Sequence, residues 1–500
     1  METTDRHTEK ARTFAHLAAL LGADRPDERE RRLRVVVGDG VLEQEAGQAL
    51  VLTVARLLPR ICERIAFDAP SADCVNRLRP LLAADAFSGE SLAALARLIW
   101  DDGEFSPDRT TPVDATLGIG APGDISLGID ATGAAVITHQ GMATIERPDA
   151  LEAALVAAAV GCSQLPNVLW PEVLGAVELG EVRLLDGPFG GPLEPDMPVE
   201  LERPVFAGVG AVGCAALYAF IVLGATGRVL LLDPDVVSDS NLMRYILFDA
   251  RHLGTTKVRA ASEIIAATGL ALDVELEKKV LQEYLKEHAE ERERLELVVC
   301  AVDTYDARRE IAGELPRQIV NAGTTPSDFT ISRHGFGDGF ACLACLYPPR
   351  KQDIEMTAVM ARELGLAKAE VEQLRRTKKP LNKALLSHLA ESRGHEPDHY
   401  LAYLGEPIDT VYNKVVCGEQ PIETGRGEAV APLAYGSALA GFLLARVAAR
   451  PIGDHRHFRM DFISGLATPL RKSPRPRASC QYCGKAAARK VYEDRWGTES

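Results

Sequence analysis

Residues 204–232 hold the pattern that most restricts how this chain can fold. A short apolar run, Val205–Ala207, meets Gly208-Val-Gly210-Ala-Val-Gly213, then an apolar stretch that predicts a helix over 212–224, then a second apolar run, Val229–Leu232. Strand, glycine turn, helix and strand in that order make one unit of a parallel, doubly wound sheet. The glycines allow a tight turn and a close approach of backbone to phosphate, and the helix N-terminus offers N–H donors and the positive end of its dipole. Alone, the motif fits a plain structural turn or a nicotinamide-dinucleotide site equally well. Asp233, at the end of the second strand, can reach a ribose hydroxyl in either nucleotide class. Apolar runs at Leu295–Val302 and Gln318–Asn321 supply two more strands, with a helical stretch expected over 257–294.

A chain of 500 residues leaves room for two to three domains. Residues 1–110 read as a helical region, from Leu17, Leu20 and Leu21 at helical spacing and the same spacing over Ser91 to Trp100. Residues 111–203 read as a small α/β region. Its runs Ile125–Ile129 and Ala134–Thr138 suggest a hairpin, a helix is expected over 151–163, and a Gly/Pro-rich connector covers 179–204. Residues 204–349 form the doubly wound core. Residues 350–430 are charged and helix-patterned, interrupted by Pro380 and Pro397, as in an insertion. Residues 431–500 add a long apolar helix over 432–449 and a basic, loop-like end. A second G-x-G-x-x-G, Gly118-Ile-Gly-Ala-Pro-Gly123, leads into a strand-like run rather than a helix, which favours a plain loop.

With 71 acidic and 56 basic residues, the formal charge is −15. That balance argues against broad binding to nucleic acid or an anionic membrane surface. The apolar stretches at 215–227 and 431–445 stop short of a bilayer span, and the first residues hold no apolar signal core. Ten cysteines are too few for a disulfide scaffold. The expectation is a cytoplasmic protein with reduced thiols.

The stretch Leu231-Leu-Asp-Pro-Asp-Val-Val-Ser-Asp-Ser-Asn-Leu-Met-Arg244, followed by Gly254-Thr-Thr-Lys257, narrows the choice. A dehydrogenase gains nothing from this set of acids and cations beyond its second strand. A triphosphate does, because Arg offers a planar fork and Lys a movable point charge. Here the sequence resembles the ThiF/MoeB superfamily, adenylating enzymes that activate ubiquitin-like and sulfur-carrier proteins. The resemblance covers about 205–345 and 415–490, and extends to Val299-Cys-Ala-Val-Asp303-Thr-Tyr-Asp-Ala-Arg308. Tyr245 departs from it, since many members carry Gln there.

The resemblance implies a Rossmann-like adenylation core and assigns roles within it. Gly208, Gly210 and Gly213 form the phosphate turn, and Asp233 holds the ribose. Asn241, Arg244 and Lys257 serve the phosphates, and Asp303 organises magnesium and the α-phosphate. Asp235 orders its own loop, and Arg308 ties the helix after Asp303 to the sheet or serves the site. An amino-terminal region lacking these residues, ahead of an active half, suggests a degenerate, inactive adenylation-like domain within 111–203. A homodimer is also implied.

Cys342-Leu-Ala-Cys345 and Cys480-Gln-Tyr-Cys483 are paired C-x-x-C motifs, the spacing of a four-sulfur zinc site. The resemblance strengthens that reading, because both pairs match the superfamily's structural zinc pattern. Cys62, Cys162, Cys214 and Cys300 lie in apolar contexts and read as core residues; nothing marks Cys74. Cys417, in Val415-Val-Cys-Gly-Glu-Gln, occupies the loop where the resembling enzymes carry a thioester-forming cysteine. A thiolate there would attack the acyl adenylate, expel AMP and store the acyl group.

The function expected is ATP-dependent adenylation of the C-terminal carboxylate of a ubiquitin-like or sulfur-carrier protein ending in glycine. Thioester formation on Cys417 and transfer to a partner, such as a conjugating enzyme, would follow. The alternatives are an adenylating enzyme acting on a natural-product peptide without a thioester, a nicotinamide oxidoreductase, and a non-catalytic zinc-stapled scaffold.

Overall fold

The computed structural model describes residues 31–169, 182–184, 199–325, 328–348, 360–362, 364–377, 379–392, 396–398, 400–408, 411–412, 422–424, 427–429, 434–450, 454–461 and 470–497. The chain divides into two units, residues 1–347 with 431–500, and residues 348–430.

The larger unit opens with a sheet where helices were expected. β1 (Arg32–Val37) alternates half-buried and buried side chains, and β2 (Arg64–Asp68) is buried along Ile65, Ala66 and Phe67. Between them runs α1 (Glu45–Leu57), and α2 (Gly89–Ile99) leads to β3 (Glu104–Ser106). β4 (Ala115–Ile119), β5 (Pro122–Ile129), β6 (Ala135–Met142), α3 (Leu151–Leu169) and β7 (Val182–Leu184) complete this half. The strands line up as β3-β2-β1-β4-β5-β6-β7. The first five are mutually parallel, and β6 and β7 are antiparallel to their neighbours. The expected helical region at 1–110 and the boundary near 111 are thus corrected: a single sheet runs across that boundary. Arg-Leu-Arg-Val-Val-Val and Arg-Ile-Ala-Phe-Asp are short runs of strand-forming residues whose partners lie far along the chain, a signal weaker than the helical spacing around them. Leu17, Leu20 and Leu21 lie outside the described residues.

The second half repeats this order. β8 (Glu200–Ala207), α4 (Ala211–Val222) and β9 (Thr226–Leu232) are followed by the one-turn α5 (Asp239–Leu242) and by α6 (Lys257–Ala267). β10 (Leu272–Glu277) and α7 (Leu281–Glu287) come next, where a continuous helical stretch was expected. β10 is an edge strand with one buried residue, Leu272, so its apolar signal is faint. β11 (Leu297–Cys300), α8 (Tyr305–Gly313), β12 (Gln318–Thr324) and β13 (Asp328–His334) then lead to the one-turn α9 (Leu343–Leu346). The sheet reads β10-β9-β8-β11-β12-β13, completed by two later strands. Its first five strands are parallel and β13 is antiparallel to β12, as in the first half.

The smaller unit holds α10 (Lys368–Thr377), α11 (Lys383–Ser392) and a short hairpin pairing Ile422–Thr424 with Gly427–Ala429. Leu364, Val371, Leu386, Leu389 and Ile408 form its own apolar cluster. The chain returns to the larger unit with α12 (Ala434–Ala449), β14 (His457–Asp461), β15 (Leu470–Lys472) and α13 (Ala486–Trp496). β15 and α13 correct the expectation of a loop-like end.

In each half a helix beside the sheet's middle (α1, α4) pairs with the helix after the sixth strand (α3, α12). α3 also packs against α4 and α12, and all four helices join one apolar core drawn from both halves. Helices that are apolar all round must be covered all round. α4 shows why, with Val212 to Val222 buried without interruption. α3 is long and apolar enough to cross a membrane, but most of it is buried inside the fold.

Two differences separate the halves. β11 and β12 are joined through α8, whereas residues 120–121 alone join the parallel pair β4 and β5. Parallel neighbours usually need a crossover of about a dozen residues or more. Here glycines permit the return: Gly120 has φ +58°, and a Cβ on Gly123 would lie 2.6 Å from the Gly118 nitrogen. The second G-x-G-x-x-G is therefore a strand-return loop. The other difference is the connection from sixth strand to final helix, residues 143–150 in one half and 335–433 in the other.

Candidate active site

The carboxyl ends of β8, β9 and β11 lie side by side, where the strand order reverses. That is where open α/β sheets place their ligands. Gly208 follows β8 at φ +101°, and a Cβ there would meet the Ala301 oxygen at 2.8 Å. Gly213 lets α4 settle on the turn, since its Cβ would sit on the Gly208 carbonyl oxygen. Gly210 faces more open space, with the Tyr245 hydroxyl 3.9 Å and the Ala301 oxygen 3.8 Å from a notional Cβ. Turn, packing and open approach are the three tasks of such glycines.

Asp233 ends β9 and is buried. Its carboxylate accepts from the Val209 N–H at 2.7 Å and the Asp235 N–H at 2.9 Å, and so ties the glycine turn to the following loop. Burial raises its pKa, against the pull of Lys257 and these two N–H groups. Lys257 opens α6, with its Nζ 2.7 Å from Asp235 and 3.7 Å from Asp233. Burial works against its charge, but Tyr245, Asp233 and Asp235 outweigh it and raise the pKa, so the ammonium stays charged. Asp235 is well exposed, and its contact with Lys257 orders the loop.

Asn241 accepts from the Ser238 N–H at 3.2 Å, closing the turn of α5. Arg244 follows, and its buried Nε has no hydrogen-bond partner among the described residues. A buried guanidinium donor without a partner is costly unless something else supplies the acceptor. Tyr245 is buried, with Lys257 Nζ 5.3 Å from its ring centre. Burial raises the pKa of its hydroxyl, although Lys257 and Arg244 oppose that.

Asp303 lies beyond the end of β11, exposed, and its carboxylate has no partner among the described residues. Its position is fixed from behind. Buried Arg308 donates to the Asp303 carbonyl at 3.0 Å, to Asn321 Oδ1 at 3.1 Å and to the Ala322 carbonyl at 3.2 Å. Thr304 caps α8 by accepting from the Ala307 N–H at 3.2 Å. Arg308 therefore ties the helix to the sheet and sets the Asp303 backbone at the same time.

The four cysteines of the C-x-x-C pairs come together, all buried, with their sulfurs within 4.8 Å of one another. Cys342 lies 3.6 Å from Cys480, and Cys345 lies 3.3 Å from Cys483. Sulfurs about 3.8 Å apart suit a tetrahedral ion with bonds of roughly 2.3 Å. The Arg477 N–H points at Cys345 Sγ at 3.4 Å, a contact that favours a thiolate. Cys62, Cys74, Cys162, Cys214 and Cys300 are buried free thiols. Cys62 lies in a turn rather than a helix, and Cys417 lies outside the described residues.

Sequence reasoning treated Tyr245 only as a departure and missed Arg56 and Arg60, both fully buried against the 242–249 loop. The signal available was two arginines four apart in the otherwise apolar Leu50-Val-Leu-Thr-Val-Ala-Arg-Leu-Leu-Pro-Arg60.

Residues 200–460 match the family described as the ThiF family. An uncharacterized protein of Sinorhizobium fredii, y4jF, is 31% identical over 300 residues, 58% of this chain and 57% of that protein. The Nedd8-activating enzyme E1 catalytic subunit of Drosophila melanogaster is 32% identical over 108 residues, 22% of this chain and 23% of that one. A crystal structure of E. coli MccB with ATP aligns at TM-score 0.36 and 13% identity, covering 57% of this chain and 67% of that chain. The chain spans less than two thirds of the length of these two curated relatives.

Proposed function

Because this chain belongs to the ThiF family, we propose that it uses ATP to adenylate a carboxylate, that of a small ubiquitin-like or sulfur-carrier protein ending in glycine. The observation that carries this reading is the cationic side of the site. Arg244 holds a buried Nε with no partner among the described residues, and Lys257 is kept charged beside the glycine turn. Phosphate oxygens supply the acceptors such a site lacks.

In this reading Gly210 and the N-terminus of α4 receive the phosphates, and Arg244 and Lys257 neutralise them. Asp233 meets the ribose while still bracing the turn. The carrier's carboxylate attacks the α-phosphorus: a bond forms from carboxylate oxygen to phosphorus, the bond to the bridging oxygen breaks, and pyrophosphate leaves. Fixed cations stabilise charge that grows on the phosphoryl oxygens, without reorganisation at the moment of reaction. The free Asp303 carboxylate suits magnesium, which favours one or two carboxylates plus phosphate oxygens and, when bound, neutralises the triphosphate. Cys342, Cys345, Cys480 and Cys483 would hold zinc with all four positions filled by protein, a staple rather than a catalyst.

Cys417 is assigned the acceptor thiol on its place in the sequence, between the first cysteine pair and α12. The first half, residues 32–184, is assigned a non-catalytic copy of the adenylating half. In support, the two-residue return at 120–121 stands where the second half has α8, and a Cβ on Gly120 would sit on Val41 Cγ2, so that return packs against the Gly38-Asp-Gly40 turn. The expected homodimer would have to use a surface other than α4 and α12, which pack against the first half.

ATP–pyrophosphate exchange tests the reading. Exchange should depend on a glycine-terminated carrier and fall by about 100- to 1000-fold in Asp303→Ala. Exchange unaffected by that substitution would remove the site assignment. A thiol-sensitive carrier conjugate should form and disappear in Cys417→Ala; its survival would remove that residue's role.

A further inference from the structure

Two buried arginines of the first half grip the loop that carries Asn241 and Arg244. Arg56, on α1, donates from Nε to the Ile246 carbonyl at 2.6 Å and from Nη2 to the Leu247 carbonyl at 3.0 Å. Arg60, one turn on, donates from Nε to the Leu242 carbonyl at 2.7 Å and from Nη2 to the Tyr245 carbonyl at 2.8 Å and the Phe248 carbonyl at 3.4 Å. Five carbonyls of one short segment are thus satisfied by two side chains from the other half. Leu242 ends the single turn of α5 and residues 243–249 belong to no helix or strand, so this stretch has few backbone partners of its own; the Tyr245 carbonyl also accepts from the Phe248 N–H at 3.3 Å.

The arrangement is an expensive way to build an interface. Two guanidinium groups sit together in the interior with one buried carboxylate, Asp249, 3.3 Å from Arg56 Nη2. Burial, and then the neighbouring Arg56, push the Arg60 pKa down to about 9. Apolar side chains of similar size would join the halves at lower cost, but they could not fix backbone carbonyls in place. What they fix has consequences at the site. The Tyr245 carbonyl is held by Arg60, and the same residue's ring centre lies 5.3 Å from Lys257 Nζ.

We propose that Arg56 and Arg60 are positioning residues for ATP binding: the first half sets the backbone that aims Asn241, Arg244 and Tyr245, so the nucleotide site is complete only when both halves are joined through them. This rests on the adenylation reading above.

The test compares Arg60→Lys, which keeps charge but loses the fork, with Thr53→Val. The control removes the 3.0 Å hydrogen bond between Thr53 and Tyr218 at the same interface without touching the loop. Arg60→Lys should raise the apparent KM for ATP at least tenfold, while Thr53→Val leaves it within twofold. An unchanged ATP KM in folded Arg60→Lys overturns the proposal. Wild-type protein provides a second arm that needs neither variant nor carrier, namely amide exchange with and without the ATP analogue AMPPNP. Binding should slow exchange at least fivefold across 242–249 and in the 50–61 segment. Protection confined to the second half overturns the proposal. A wild type that does not bind the nucleotide overturns the adenylation reading as well.

Discussion

At the scale of single residues, the same residue type does different work in the two halves. Gly118 and Gly213 both sit in G-x-G-x-x-G patterns, yet one closes a strand return and the other seats a helix on a glycine turn. Gly118→Ala would drive a Cβ onto the Ala121 carbonyl oxygen. It should cost about 2 kcal/mol by urea unfolding and leave ATP affinity alone, since the strain is remote from the nucleotide. Gly213→Ala should instead weaken ATP binding, because the turn must shift to admit the methyl group. Burial, with Lys472 and Arg459 nearby, lowers the His457 pKa to about 4. An unfolded chain takes up that proton near its ordinary 6.5, so it binds more protons than the folded chain between those values. His457 therefore costs nothing above pH 6.5 and destabilises progressively as pH falls toward 4. Urea midpoints at pH 7.5 and 5 should fall closer together in His457→Gln than in wild type.

The elements show what the sequence could and could not disclose. β8, α4, β9 and β11 were legible because each is a continuous apolar run in local order around a glycine turn. The Asp233-to-Lys257 stretch stood out by its pattern of acids and cations, and the structure brings Asp233, Asp235 and Lys257 together beside the glycine turn. β1 and β2 were not, since a five- or six-residue strand gains its stability from partners such as β4, some eighty residues away in sequence. β10 was hidden because an edge strand buries little. The cysteine pairs were legible by spacing alone, although their meeting depends on the whole connection through β14, β15 and the start of α13. Cys345→Ser should abolish bound zinc and lower the thermal midpoint by about 5 °C or more, measured by metal analysis and calorimetry on one preparation. A full zinc complement in that variant would contradict the four-sulfur site.

Over the whole molecule, the opening sequence feature becomes half of a pair. Two sheets of the same strand order share one core, and the second has the α8 crossover that follows Asp303 where the first has a two-residue return. The first half donates hydrogen bonds from Arg56 and Arg60 to the second half's 242–248 backbone. The site's cations, and an Asp303 carboxylate with no partner among the described residues, favour the proposed cleavage at the α-phosphate. The most direct measurement is the fate of ATP labelled at the α-phosphorus, incubated with the protein, magnesium and a glycine-terminated carrier. The label should appear in AMP and in a carrier-bound adenylate, with pyrophosphate released and both lost in Asp303→Ala. Labelled ADP with free phosphate, at a rate Asp303→Ala leaves unchanged, would contradict the account.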